Sequence, residues 1–89
     1  IYWAKAGIYI KMGKPEKAVE MYELILKDYK FDILSDDAHF NLAKTYEERL
    51  NNKEKAMNLY QEHLTQYPGS VYVAEARKRF RLLRGDKLK

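Results

Sequence analysis

Two fourteen-residue stretches of this chain, EKAVEMYELILKDY at 16–29 and EKAMNLYQEHLTQY at 54–67, align without a gap at an offset of 38 residues. Glu16/Glu54, Lys17/Lys55, Ala18/Ala56, Tyr22/Tyr60, Leu26/Leu64 and Tyr29/Tyr67 are identical pairs. A fixed period with a helical pattern inside it is the mark of a repeat array, in which each unit leaves an apolar face that its neighbour must cover. Only folds built by stacking similar helical units meet that condition. The spacing therefore predicts an all-α stack.

Along the chain the pattern divides into five helices. Tyr2, Ala6 and Tyr9 fall on one face of a first helix over 2–12, with Trp3, Ala4, Ile8 and Ile10 widening its apolar surface. Gly13 is placed to end it in a left-handed conformation. Pro15 opens a second helix at its first position, and Ala18, Met21, Tyr22, Ile25, Leu26 and Tyr29 form its stripe. Glu16, Lys17, Glu20, Glu23 and Lys27 face solvent. Residues 30–35 form the longest connection, with Phe31, Ile33 and Leu34 expected to fold back onto the helices.

Ser35 is the expected N-cap of a third helix over about 36–49, with Asp36 and Asp37 in its first turn and His39, Leu42, Ala43 and Tyr46 on one face. Asn51 and Asn52 make the next turn and cap a fourth helix at about 53–66. Its stripe is Ala56, Leu59, Tyr60, His63, Leu64 and Tyr67. Pro68-Gly69-Ser70 breaks the chain again. Ser70 is the expected N-cap of a fifth helix over 71–84 that buries Val73, Ala76, Phe80 and Leu83, and the last five residues form a frayed tail.

Composition narrows the chemistry. There is no cysteine, which excludes disulfides, thiolate metal sites and a cysteine nucleophile. No apolar run approaches the ~20 residues that span a bilayer. The formal charge of +4 is unevenly placed: residues 70–89 hold seven Lys/Arg against Glu75 and Asp86, while residues 1–69 hold ten basic and eleven acidic side chains. The chain starts Ile-Tyr-Trp rather than at Met, and is expected to be a piece of a longer protein.

At Leu42, Ala43, Tyr46, Ala56, Tyr60 and Pro68 the chain resembles the tetratricopeptide repeat family. Ala6, Tyr9, Gly13, Ala18 and Tyr22 match the same pattern in the first unit, where Lys30 stands in place of the closing Pro. The period of 38 exceeds the family's typical 34. An enlarged 30–35 loop and one extra residue in the ERLNNKE turn account for the excess. The resemblance implies a right-handed α-α superhelix, with repeat 1 at about 1–34, repeat 2 at about 35–69 and a capping helix at about 70–84, as part of a longer array. The YPGSVYVAEARKRFRLL stretch is similar to repeat ends of bacterial cell-envelope proteins, which points to the periplasm or envelope rather than the cytoplasm.

The family resemblance implies a non-catalytic scaffold that holds a peptide or partner helix in a concave groove lined by the first helix of each pair. By register that lining is Trp3, Gly7 and Ile10, then Asp37, Asn41, Lys44 and Glu48. Asn41 suits a peptide backbone and Lys44 a carboxylate. Two other readings stand beside it. The apolar edge of Ile1, Tyr2, Trp3, Ala4 and Ile8 suits a homo-oligomerising structural segment of an envelope protein, or cover by an upstream repeat. The basic arc of Arg77, Lys78, Arg81 and Arg84 suits nucleic acid or an acidic protein. Nucleic acid is disfavoured because no exposed aromatics interleave with the arc for base stacking. His39 and His63 read as lone histidines, so no metal is expected. Asp32, Asp36 and Asp37 lack the spacing of a calcium loop, and Glu47 and Glu48 point about 100° apart on their helix. No catalytic motif and no cofactor site is expected.

Overall fold

The computed structural model describes residues 1–28 and 33–85. Five helices follow one another: α1 (Tyr2–Lys11), α2 (Pro15–Asp28), α3 (Ile33–Glu48), α4 (Lys53–Gln66) and α5 (Val73–Arg84). No strand occurs among the described residues, and no helix there is long and apolar enough to cross a membrane. Tyr29, the 30–32 part of the expected loop and the tail beyond Gly85 lie outside the described residues.

Each helix packs on the next, α1 on α2, α2 on α3, α3 on α4 and α4 on α5. The Cα envelope measures 39 × 28 × 17 Å. Packed helix axes lie about 8–10 Å apart, so the short dimension is that of a slab two helices deep. Ala6, Ala18, Ala38, Ala43, Ala56 and Ala76 are fully buried where helices meet, and Tyr22, Leu42, Leu59 and Tyr60 fill the space beside them. Val19 and Phe40 join this core although neither lay on a predicted stripe. The five charged residues assigned to the outer side of α2 are all exposed.

The two hairpin turns solve one problem with different lengths. After α1, Gly13 adopts φ 74° and the Lys14 N–H donates to the Tyr9 carbonyl at 2.8 Å. After α3, Asn51 adopts φ 53° and the Asn52 N–H donates to the Tyr46 carbonyl at 2.8 Å. The equivalent tyrosine carbonyl is thus capped one residue later in the second turn, which is where the predicted extra residue sits. Left-handed backbone suits glycine, and asparagine tolerates it better than other side chains. Asn52 Oδ1 then accepts from the Lys55 N–H at 3.1 Å as a true N-cap.

Several expectations are corrected. α1 ends at Lys11, with Met12 as its C-cap. Ser35 is not the residue before α3, because α3 starts at Ile33 and Ser35 lies buried inside it. Asp36 Oδ1 accepts from the Asp37 N–H instead. Leu34 does not fold back but stands 40% exposed on the first turn. Ser70 is not the cap of α5. Its Oγ accepts from the Tyr72 N–H at 3.0 Å and also meets His63. A hydroxyl used two residues ahead makes a turn rather than a cap, so α5 starts only at Val73.

Candidate binding groove

α1, α3 and α5 come to one side of the slab. Between α1 and α3 lies a hollow of about 250 Å³, lined by Gly7, Ile10 and Lys11, by Tyr22 from α2, and by Asn41, Lys44, Thr45, Glu48 and Arg49. Between α3 and α5 lies a second hollow of about 240 Å³, lined by Phe40, Lys44, Glu48, Tyr60, Glu75 and Arg79. Lys44 and Glu48 belong to both. One turn apart on α3, they form the ridge between two adjoining hollows, and the pair makes one groove across three helices.

Five of the seven predicted lining residues, Gly7, Ile10, Asn41, Lys44 and Glu48, converge on the first hollow. Trp3 and Asp37 do not line it. The Trp3 ring stands edge-on to Tyr22, with centroids 5.8 Å apart, and is 39% exposed. The Asp37 carboxylate accepts from the Tyr72 hydroxyl. That bond raises the Tyr72 phenol to about 12, with burial adding to the effect. Asp37 thus ties the start of α5 to α3. Asn41 is half committed: its Nδ2 donates to the Asp37 carbonyl at 2.8 Å. Its Oδ1 is the end left to accept from a ligand N–H.

Sequence reasoning missed Lys11, Tyr22, Thr45 and Arg49. Lys11 and Arg49 stand one turn beyond Gly7 and Thr45, so a helical wheel carried the signal. Tyr22 reaches in from the other layer, which no wheel of one helix reveals. Lys11, Lys44 and Arg49 against Glu48 make this hollow basic.

Hydrogen bonds tie the floor of the second hollow together. Glu47 accepts from the Tyr60 hydroxyl at 2.9 Å and from Arg79 through both Nε, at 3.0 Å, and Nη2. Burial first, then the bond to Glu47, pushes the Tyr60 phenol up. Arg79 is held protonated by Glu47. Arg79 therefore leaves the basic excess of the last helix, because its charge is spent inside the fold. Arg77, Lys78, Arg81 and Arg84 are exposed, and the Arg84 guanidinium lies 5.1 Å from the Phe80 ring centre.

The two histidines are not lone. His39 Nδ1 lies 3.1 Å from His63 Nδ1, both rings are buried, and they stack at 5.2 Å. His63 Nε2 meets Ser70 Oγ at 3.0 Å, while His39 Nε2 faces Glu62 at 3.6 Å. Among the described residues no third metal-ligating side chain completes a group with them.

Two family models described as Tetratricopeptide repeat match this chain, one over residues 1–27 and one over 37–70. The chain belongs to the tetratricopeptide repeat family. No curated protein and no solved structure gives a significant match. Tetratricopeptide repeats generally mediate protein–protein interaction and are typically non-catalytic scaffolds. The first match covers α1 and most of α2. The second starts at Asp37, inside α3, and runs through α4 to Ser70, so the two matched repeats are the two hairpins.

Proposed function

We propose that this chain is a protein-binding module that holds an acidic peptide segment in the groove across α1, α3 and α5. The reading rests on one observation: two hollows adjoin across the ridge that Lys44 and Glu48 form on α3. A groove of that form accepts an extended segment or one helix face. Asn41 Oδ1 fixes the backbone of the segment. Lys11, Lys44 and Arg49 face its carboxylates, and Ile10 and Tyr22 offer the apolar contact between them. Gly7 leaves the α1 wall bare, since a Cβ built there meets nothing within 4 Å.

The test is selection from a displayed random-peptide library. Selected peptides are enriched in Asp and Glu, and their affinity falls about tenfold or more on Lys44→Glu, as expected for lost charge pairs at a desolvated contact. Binders that ignore Lys44→Glu and Asn41→Ala, or a library that yields none, overturn the reading.

A further inference from the structure

The two hollows of the groove differ in sign. Lys44 and Glu48 line both and offset each other. Beside them, the first hollow has Lys11 and Arg49, both exposed and both cationic. The second has Glu75 and Arg79 from α5, over a floor of Phe40 and Tyr60.

Arg79 does not offset Glu75. Its guanidinium is held by Glu47 through Nε at 3.0 Å and through Nη2, and reaches Glu48 at only 3.9 Å. The Glu47 and Arg79 side chains are 14% and 29% exposed, so their charges close on each other beneath the surface. Glu75 stands exposed in the first turn of α5 and makes no ion pair among the described residues. Lys78, one turn further on, does not line the hollow. The groove is therefore basic toward α1 and acidic toward α5.

That difference decides what fits each end. A wholly acidic segment suits the first hollow but brings a carboxylate against Glu48 and Glu75 in the second, and like charges at a contact cost affinity. An apolar side chain covers Phe40 and Tyr60 but strips water from Glu75 without giving it a partner. A Lys or Arg side chain meets both demands. Its methylenes lie on the aromatic floor and its charged head stays at the rim with Glu48 and Glu75.

The width of α3 sets the spacing. A helix with its side chains is about 10–12 Å across, and an extended chain advances about 3.3 Å per residue. About three residues carry a segment from one hollow to the other.

We infer that the groove takes a segment with opposed ends: Asp or Glu in the α1–α3 hollow and, about three residues away, one Lys or Arg in the α3–α5 hollow. This rests on the groove being a peptide site, as proposed above, and adds the order of charges along the peptide. That order fixes which end lies over α1, and so the direction in which the segment crosses α3. Glu75 sets the cationic position, and Lys11 and Arg49 set the acidic one.

The test is selection of one displayed random-peptide library on the parent chain and on Glu75→Lys. Peptides from the parent carry Asp or Glu and, about three residues to one side only, Lys or Arg. Peptides from Glu75→Lys keep the acidic residues and carry Asp or Glu in place of that cation. Changing the cation of a parent-selected peptide to Glu weakens binding to the parent about tenfold and strengthens binding to Glu75→Lys. Glu75→Gln, with the circular dichroism of the parent, narrows the difference between the two peptides. Parent-selected peptides without a cation at a fixed spacing, or with one whose preference survives both Glu75→Lys and Glu75→Gln, overturn this inference while the groove stands. Binders that ignore Lys44→Glu and Asn41→Ala, or a library that yields none, overturn both readings.

Discussion

His39 Nδ1 and His63 Nδ1 face each other at 3.1 Å across the α3–α4 interface. One of the two must carry the proton. Glu62 lies 3.6 Å from His39 Nε2, which favours a proton on that nitrogen and leaves His39 Nδ1 as the acceptor. His63 Nδ1–H then donates, and His63 Nε2 accepts from the Ser70 hydroxyl, whose oxygen accepts from the Tyr72 N–H. A single run of bonds links the start of α5 to both helices of the second repeat. It fails once both rings are protonated, because two Nδ1–H donors then face each other.

That run predicts an acid-sensitive fold. Burial lowers the affinity of both rings for protons, and His39 adds to the effect on His63, which falls to about 4 against a small opposing pull from Asp36. Glu62 opposes the shift of His39. The unfolded chain therefore binds more protons than the fold between about pH 6.5 and 4. Stability present above pH 6.5 is lost as pH falls through that window, by about 3 kcal/mol for His63 alone. Urea midpoints measured from pH 8 to 4 should drop across it, and His63→Phe should flatten the profile.

Among the described residues, Glu47 is the acceptor for the buried Tyr60 hydroxyl and the main partner of Arg79. Glu47→Ala strands a buried phenol and a half-buried guanidinium together. The expected loss is about 2–4 kcal/mol in chemical denaturation. Glu47→Gln keeps an acceptor for Tyr60 and should cost less than half as much.

Gly7 sits mid-helix in α1 with open space where a Cβ would stand. Gly7→Ala should raise stability by about 0.5–1 kcal/mol, since glycine is the costlier residue in a helix interior. The same methyl projects into the first hollow. Selected groove peptides should bind Gly7→Ala more weakly even as its melting temperature rises, and a parallel gain in both would show that the ligand keeps away from α1.

The turn after α3 divides two tasks between neighbours. Asn51 takes the left-handed backbone and Asn52 supplies the cap. Asn51→Gly should be neutral or slightly stabilising, whereas Asn51→Val should cost roughly 1–2 kcal/mol from steric strain. Asn52→Ala should cost about 1 kcal/mol through loss of the cap. Thermal melts of the three variants rank these effects.

The repeat step made the helices legible. The start of α2 at Pro15, the α4 bounds and the Gly13 and Asn52 roles follow from local chemistry, and the structure reproduces them. The failures share a cause. Ser35 and Ser70 look like caps because local patterns favour a serine before a helix, but each side chain is used by tertiary structure, Ser35 by burial within α3 and Ser70 by His63. His39 and His63 read as separate because 24 residues divide them, and only the α3–α4 register brings their stripes together. Arg79 falls outside the expected basic arc, but nothing near it in sequence announces Glu47 as its partner. In the groove, five of seven expected residues converge because wheel positions carry across equivalent helices. Trp3 and Asp37 were drawn off by Tyr22 and Tyr72, partners on other helices.

The most direct measurement on the binding account is an amide chemical-shift titration of the ¹⁵N-labelled chain with a selected acidic peptide. The account predicts the largest shifts at Gly7, Ile10, Asn41, Lys44, Thr45 and Glu48, with Arg77, Lys78 and Arg81 unmoved. Shifts centred on α5 instead, or spread evenly over the surface, would contradict it.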